Sequence, residues 1–167
     1  VNDRIDTVNR LRADTPYRWG PGAPFDALVY HAAREWIRLN RPRVVFLGLG
    51  ETDEWAHEGR YGDYLRAAHR ADALIADLWD AMQAIDEYRG RTAFILTCDH
   101  GRGGGDAAGA APEQWRDHNN KTPGAEQTWI AAFGSGVRPA GVRSGLAEVG
   151  QDQIAATLAA LLGRDYN

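Results

Sequence analysis

The chain has 167 residues, 44% of them hydrophobic, with a net charge of -4 and a single cysteine. That length supports one domain with a real core. The acidic balance argues against nucleic acid as a partner, no apolar run approaches the roughly 20 residues needed to cross a bilayer, and one cysteine excludes an internal disulfide.

Taken in chain order, Ile5, Val8 and Leu11 recur at helical spacing and predict a short helix ending before Thr15-Pro16. Tyr17 to Pro24 carries Gly20, Pro21, Gly22 and Pro24 and reads as a loop. Asp26 to Asn40 predicts a helix with Leu28, Val29, Ala32, Trp36 and Leu39 on one face. Arg43 to Leu49 is a nearly continuous apolar run, the pattern of a strand buried on both faces. A long helix is expected from about Tyr61 to Tyr88, and a second buried strand at Thr92 to Cys98.

Two such strands joined by a helix predict a βαβ unit with parallel strands. Asp99 to Gln127 has no period and is rich in Gly, Ala and Asn, a length usually associated with function. Thr128 to Phe133 is a third strand candidate, and Asp152 to Leu162 a closing amphipathic helix stopped by Gly163. The pattern is a single α/β domain over residues 1–167, without internal repeats or a linker. Cys98, inside an apolar run, reads as a packing residue.

The informative chemistry lies where strands end. Gly50-Glu51-Thr52-Asp53-Glu54-Trp55-Ala56-His57 follows the first apolar run, and Asp99-His100-Gly101 follows the second. In an open α/β sheet, ligands sit outside the carboxyl ends of the strands. Asp53 and His57 are four apart, so on a helical turn they share a face and can hold one ion. Carboxylate with imidazole suits zinc, manganese or similar ions. Asp99 and His100 are adjacent, so joint use requires the backbone to leave the extended form; Gly101, Gly103, Gly104 and Gly105 supply that freedom. His118, in the long loop, is the natural further ligand. An isolated Asp-x-x-x-His or Asp-His pair is common without a metal, and the joint placement carries the inference. His31 and His69 fall within helices and read as surface or packing residues. Trp36 and Trp79 read as core, whereas Trp55 and Trp115 sit in the ligand loops and are candidates to wall a pocket.

The ordered set Asp53-x-x-x-His57, Asp99-His100-Gly101 and His118 resembles the metal-ligand order of the alkaline phosphatase superfamily. The ending Val149 to Gly163 is similar to the helix that closes many of its members, and the resemblance spans roughly Arg43 to Gly163. It implies an α/β/α three-layer sandwich, of which this chain would be the carboxyl-terminal portion. It also implies two divalent ions, zinc or alternatively manganese, with Asp53, His57 and His118 on one and Asp99 with His100 on the other. The implied activity is hydrolysis of small phosphate or sulfate esters. Arg102 and Lys121 are candidates for contacting an anionic substrate, and Glu51 and Glu54 for orienting the histidines. The family's nucleophile and its further aspartate have no visible counterpart, so both are expected in an amino-terminal part outside this chain. The Val1-Asn2-Asp3-Arg4 start is read as that of a processed, truncated or excerpted chain. The resemblance separately implies a periplasmic or secreted parent, as relatives of this kind are often exported. Thr52 and Thr97 are set aside as nucleophiles, the first as part of the ligand turn and the second as part of the strand. Two other readings are an inactive module with incomplete metal sites and a phosphomutase of the same superfamily.

Overall fold

The computed structural model describes residues 3–16, 18–20, 22–104, 108–109 and 111–166. Parts of the sequence reading that concern Tyr17, Pro21 and Gly105 lie outside the described residues. The elements in order are α1 (Asp3–Asp14), α2 (Asp26–Asn40), α3 (Glu51–His57), α4 (Tyr61–Gln83), β1 (Ala93–Thr97), a 3-10 turn (Pro112–Arg116), β2 (Ile130–Gly134) and α5 (Gln153–Leu161). Among the described residues, no helix is long and apolar enough to cross a membrane.

The core lies between α2 and α4. Tyr30 and Ile37 of α2 meet Leu78 and Met82 of α4, with Leu47, Leu74, Ile85 and Phe94 packed around them. The predicted face of α2 is corrected here: Trp36 is 47% exposed and Leu39 is also exposed, so the core-facing stripe is Tyr30 and Ile37. The Tyr30 hydroxyl donates to Asp77 of α4, an anchor that hydrophobicity alone does not reveal. The helix stops at Arg41, which takes a left-handed φ of 49° and is followed by Pro42.

α4 is shorter than the periodicity suggests. Beyond Gln83, Arg89 Nε donates to the Gln83 carbonyl and the Gly90 amide to the Gln83 side chain. Those contacts replace helical continuation with a run of turns. Trp79 packs as predicted, edge-on against Phe94 and Phe133.

The sheet departs from expectation. Arg43 to Leu49 forms no ladder among the described residues, and β1 pairs antiparallel with β2 in a two-stranded sheet. The parallel βαβ unit is therefore absent among the described residues. An apolar run records a tendency to be buried but does not supply the neighbour that a ladder requires about 4.8 Å away. Here only part of the run packs inward: Leu47 joins the core, while Phe46 is 95% exposed and Val44 and Val45 are exposed too. Helices with a small sheet fit an α/β composition. The register Thr97↔Ile130 has a useful consequence, since it brings the two ends of the long intervening loop together. Thr97 Oγ1 donates to the Trp129 carbonyl at the same place, at 2.8 Å.

Candidate metal centre

Asp53 and His57 occupy successive turns of α3, as their four-residue spacing predicts, with Asp53 Oδ2 3.4 Å from His57 Nε2. The orientation of α3 is fixed by contacts at its amino end. Asp26 Oδ1 accepts the amides of Gly50 (2.7 Å) and Glu51 (3.2 Å), and Glu51 Oε1 accepts the amide of Asp26 (2.9 Å). Both carboxylates are 2% exposed. Arg70 of α4 donates to Glu51 Oε2 at 2.9 Å, and Trp55 Nε1 lies 3.4 Å from the same oxygen. Glu51 thus holds the helix that carries the ligands and does not touch the histidines directly. Desolvation pushes the Asp26 carboxyl above its ordinary range, with the two amides opposing and the Glu51 charge adding. Glu54 is also raised, chiefly by desolvation and then by Asp53.

The second group comes from the loop after β1. Gly101 and Gly103 are needed there for close approach: a Cβ on Gly101 would strike the carbonyls of Gln127 and Gly124, and one on Gly103 would strike Thr122 and the Gln114 carbonyl. The amides of Gly101 and Gly103 donate to Ala125 (2.8 Å) and Asp117 (3.1 Å). Of the expected backbone freedom, only Gly104 among the described residues uses a positive φ, at 94°. These contacts press the two arms of the loop together and stack the rings of His100 and His118, with centroids 3.6 Å apart and planes within 10°.

Of the five predicted ligand residues, Asp53, His100 and His118 come together without a parallel sheet, with His57 beside His118. Asp53 Oδ1 lies 3.6 Å from His100 Nε2 and 3.5 Å from His118 Nε2. His57 Nε2 is 2.9 Å from His118 Nε2, and Asp99 Oδ2 is 3.6 Å from His100 Nε2. Asp53, His100 and His118 each offer a ligand atom within 4.8 Å of the others. Asp99 stands at the periphery, 88% exposed in its side chain, with Oδ1 accepting the His100 amide at 3.1 Å.

This donor set fits a divalent cation of the zinc or manganese kind, being one carboxylate oxygen and two imidazole nitrogens in a partly buried cluster. Desolvation holds His118 below the ordinary histidine range; His100, His57 and Arg102 add to the effect, and Asp53 opposes it. A neutral imidazole is the form that donates a lone pair to a metal.

Arg102 reaches the cluster, donating through Nη2 to Asp53 Oδ1 and through Nη1 to the Arg116 carbonyl at 3.2 Å. Lys121 is exposed, and no hydrogen bond or ion pair of its side chain ties it to the cluster among the described residues. Arg116 was not legible as a site residue in the sequence. Its guanidinium donates to the His57 carbonyl at 3.3 Å and lies against Gly59. Trp115 packs edge-on with Tyr61 and Tyr64, whereas Trp55 is sandwiched by the guanidiniums of Arg18 and Arg60 and by Trp19. His31 and His69 are exposed on α2 and α4, as expected for surface helix residues.

A family model described as Metalloenzyme superfamily matches residues 26–104. The matched span contains Asp53, His57, Asp99, His100 and Arg102, and His118 joins them by geometry alone. No curated protein and no solved structure matches the chain.

Proposed function

Because residues 26–104 belong to the Metalloenzyme superfamily, within the alkaline phosphatase-like superfamily, we propose that the chain contributes the metal centre of a hydrolase acting on phosphate or sulfate esters. The observation that carries this reading is the meeting of Asp53, His100 and His118 within 4.8 Å, with His57 2.9 Å from His118. The proposal extends to two ions, zinc or manganese, with Asp53, His57 and His118 serving one and Asp99 with His100 the other. It also places the chain in a three-layer α/β/α sandwich.

When bound, such ions would supply Lewis-acid charge, lowering the pKa of a nucleophile and polarising the leaving-group oxygen. The protein's part is positioning. Asp53 lies among three imidazoles and serves as the shared anionic donor, while the depressed His118 remains a neutral donor. Arg116 steadies the end of α3 through the His57 carbonyl. Arg102, and in this proposal Lys121, would meet the equatorial oxygens of the ester, where a preorganised cation favours the developing charge. The nucleophile is taken to lie outside the described residues.

One observation favours a second reading, a metal-binding module without turnover. The Thr97 hydroxyl is engaged by the carbonyls of Cys98 and Trp129 at 3.0 and 2.8 Å and is not directed at the cluster. The two readings share the metal centre and differ in turnover.

The test is elemental analysis of the chain after incubation with zinc or manganese and exhaustive dialysis. The reading expects at least one retained equivalent. Absence of metal after loading overturns it. Turnover of aryl phosphate, phosphodiester and sulfate esters by the metal-loaded protein then separates the hydrolase from the silent module.

A further inference from the structure

We propose that Arg102 couples cation binding to anion binding at this centre by exchanging Asp53 for the anion. The inference rests on the metal-hydrolase reading and adds to it a specific role for one side chain. Asp53 Oδ1 is the atom at issue. It accepts from Arg102 Nη2, and the same oxygen faces His118 Nε2 at 3.5 Å and His100 Nε2 at 3.6 Å. It is therefore both the arginine's acceptor and the carboxylate donor of the three-ligand group.

A cation at Oδ1 and the guanidinium would compete for the same oxygen. A metal–carboxylate bond of about 2.0–2.2 Å concentrates the oxygen's donor density on the ion, and a guanidinium at hydrogen-bond distance from that oxygen would face a divalent charge only a few ångströms away. In this proposal, the repulsion between the two positive charges turns Arg102 away from Asp53 when a cation binds Oδ1. The side chain has little freedom to leave altogether: only 16% of it is exposed, and its other terminal nitrogen is held by the Arg116 carbonyl at 3.2 Å. Displaced but tethered, the guanidinium keeps unsatisfied N–H donors beside the cation. The matching ligand is a tetrahedral oxyanion, one oxygen facing the cation and others accepting from the planar fork of donors.

Two consequences follow. Without an oxyanion, Arg102 opposes cation binding by competing for Asp53 and by like-charge repulsion. With an oxyanion present, the released donors are satisfied, and linkage requires the anion to tighten the cation by the factor by which the cation tightens the anion. If Arg102 served only to hold Asp53 in place for the metal, its removal would weaken cation binding. The sign of the effect therefore distinguishes the two roles.

The test is calorimetric titration of Zn2+ into the dialysed chain, with and without methylphosphonate as a non-hydrolysable oxyanion. Wild type is expected to bind Zn2+ about fivefold or more tightly when methylphosphonate is saturating. Arg102→Gln is expected to bind Zn2+ roughly three- to tenfold more tightly than wild type without the anion, and to lose the anion's effect. Arg102→Lys, which keeps a cation, should fall between them. Zn2+ binding by Arg102→Gln that is equal to or weaker than wild type overturns the proposal. So does wild-type binding that methylphosphonate does not change, a measurement independent of how any variant folds. If wild type binds no Zn2+ at all, the hydrolase reading fails together with the coupling.

Discussion

Asp26 and Glu51 cap each other's helices. Each is the first residue of its own helix, and each lends a carboxylate oxygen to the amides that open the other. Neither α2 nor α3 has a side-chain cap from its own preceding residue, Phe25 or Gly50. The exchange therefore satisfies orphan amides and places negative charge at two positive helix ends. Because α3 carries Asp53 and His57, this joint is the mechanical footing of the candidate metal centre.

Breaking that joint should be costly. Glu51→Ala removes a cap from α2 and leaves Arg70 and the Trp55 indole without their shared acceptor. We expect a loss of about 1–3 kcal/mol. For a chain of this size that lowers the melting temperature by roughly 2–4 °C per kcal/mol. Asp26→Ala should behave alike, and the double variant should lose less than the sum of the two. Additive losses in thermal melts would show that the two carboxylates act independently.

The same joint has a pH signature. Asp26 is raised above its ordinary value of 3.8, first by desolvation. A raised carboxyl favours the folded state while protonated, so its contribution is full below the unfolded pKa and is lost as pH rises through the folded pKa. Asp26→Asn cannot ionise. The stability of wild type relative to this variant should therefore be greatest below the ordinary value of 3.8 and decline as pH rises above it. Paired thermal melts across that range check the sign, and a wild-type advantage that grew with pH would contradict it.

Removing ligands should separate the residues. His118→Ala deletes the side chain nearest both His57 and His100, by nitrogen distance and by ring stacking respectively. It should weaken zinc binding at least about tenfold, and His57→Ala should also reduce retained metal. Asp99→Ala, at the exposed margin, should have the smaller effect. Elemental analysis and competition with a chromophoric chelator measure all three. Unchanged stoichiometry in His57→Ala would remove it from the ligand set.

The proximity of Asp53 and His57 was legible in the sequence because their spacing carries geometry. Asp53 and His57 share a face wherever that segment is helical. The helix over Asp26 to Asn40 was also legible, since its apolar residues recur at helical spacing. What the sequence hid depended on partners remote along the chain. Phe46 looks like a buried strand residue until a neighbouring strand is sought and none pairs with it among the described residues. Asp26 looks like any acidic first-turn residue, because its receivers at Gly50 and Glu51 lie 24 and 25 positions away. The core face of α2 was misjudged for a related reason. Tyr30 is drawn inward by its hydrogen bond to Asp77, and Trp36, the larger hydrophobe, is left outside.

The glycines after His100 offer a structural test of the loop. Gly101→Ala and Gly103→Ala would each drive a methyl group into backbone or side-chain atoms of the opposite arm. Each should cost about 1–3 kcal/mol and should loosen metal binding by parting His100 from His118. Gly22→Ala, with nothing within 4 Å of the added carbon, should be nearly neutral. Equal effects at all three positions, read by thermal melts and zinc titration, would deny the loop its close packing.

The pairing of Thr97 with Ile130 gives the His100–His118 loop the properties of an exchangeable cassette. Both of its ends are anchored on one rung of the ladder, so added chain leaves the distance between those ends unchanged as long as Trp115 and Arg116 keep their contacts with α4 and α3. Lengthening such a loop is entropically mild, about 0.6 kcal/mol for each doubling. Chain inserted in this loop can therefore vary in length while the strands beneath go on pairing as before.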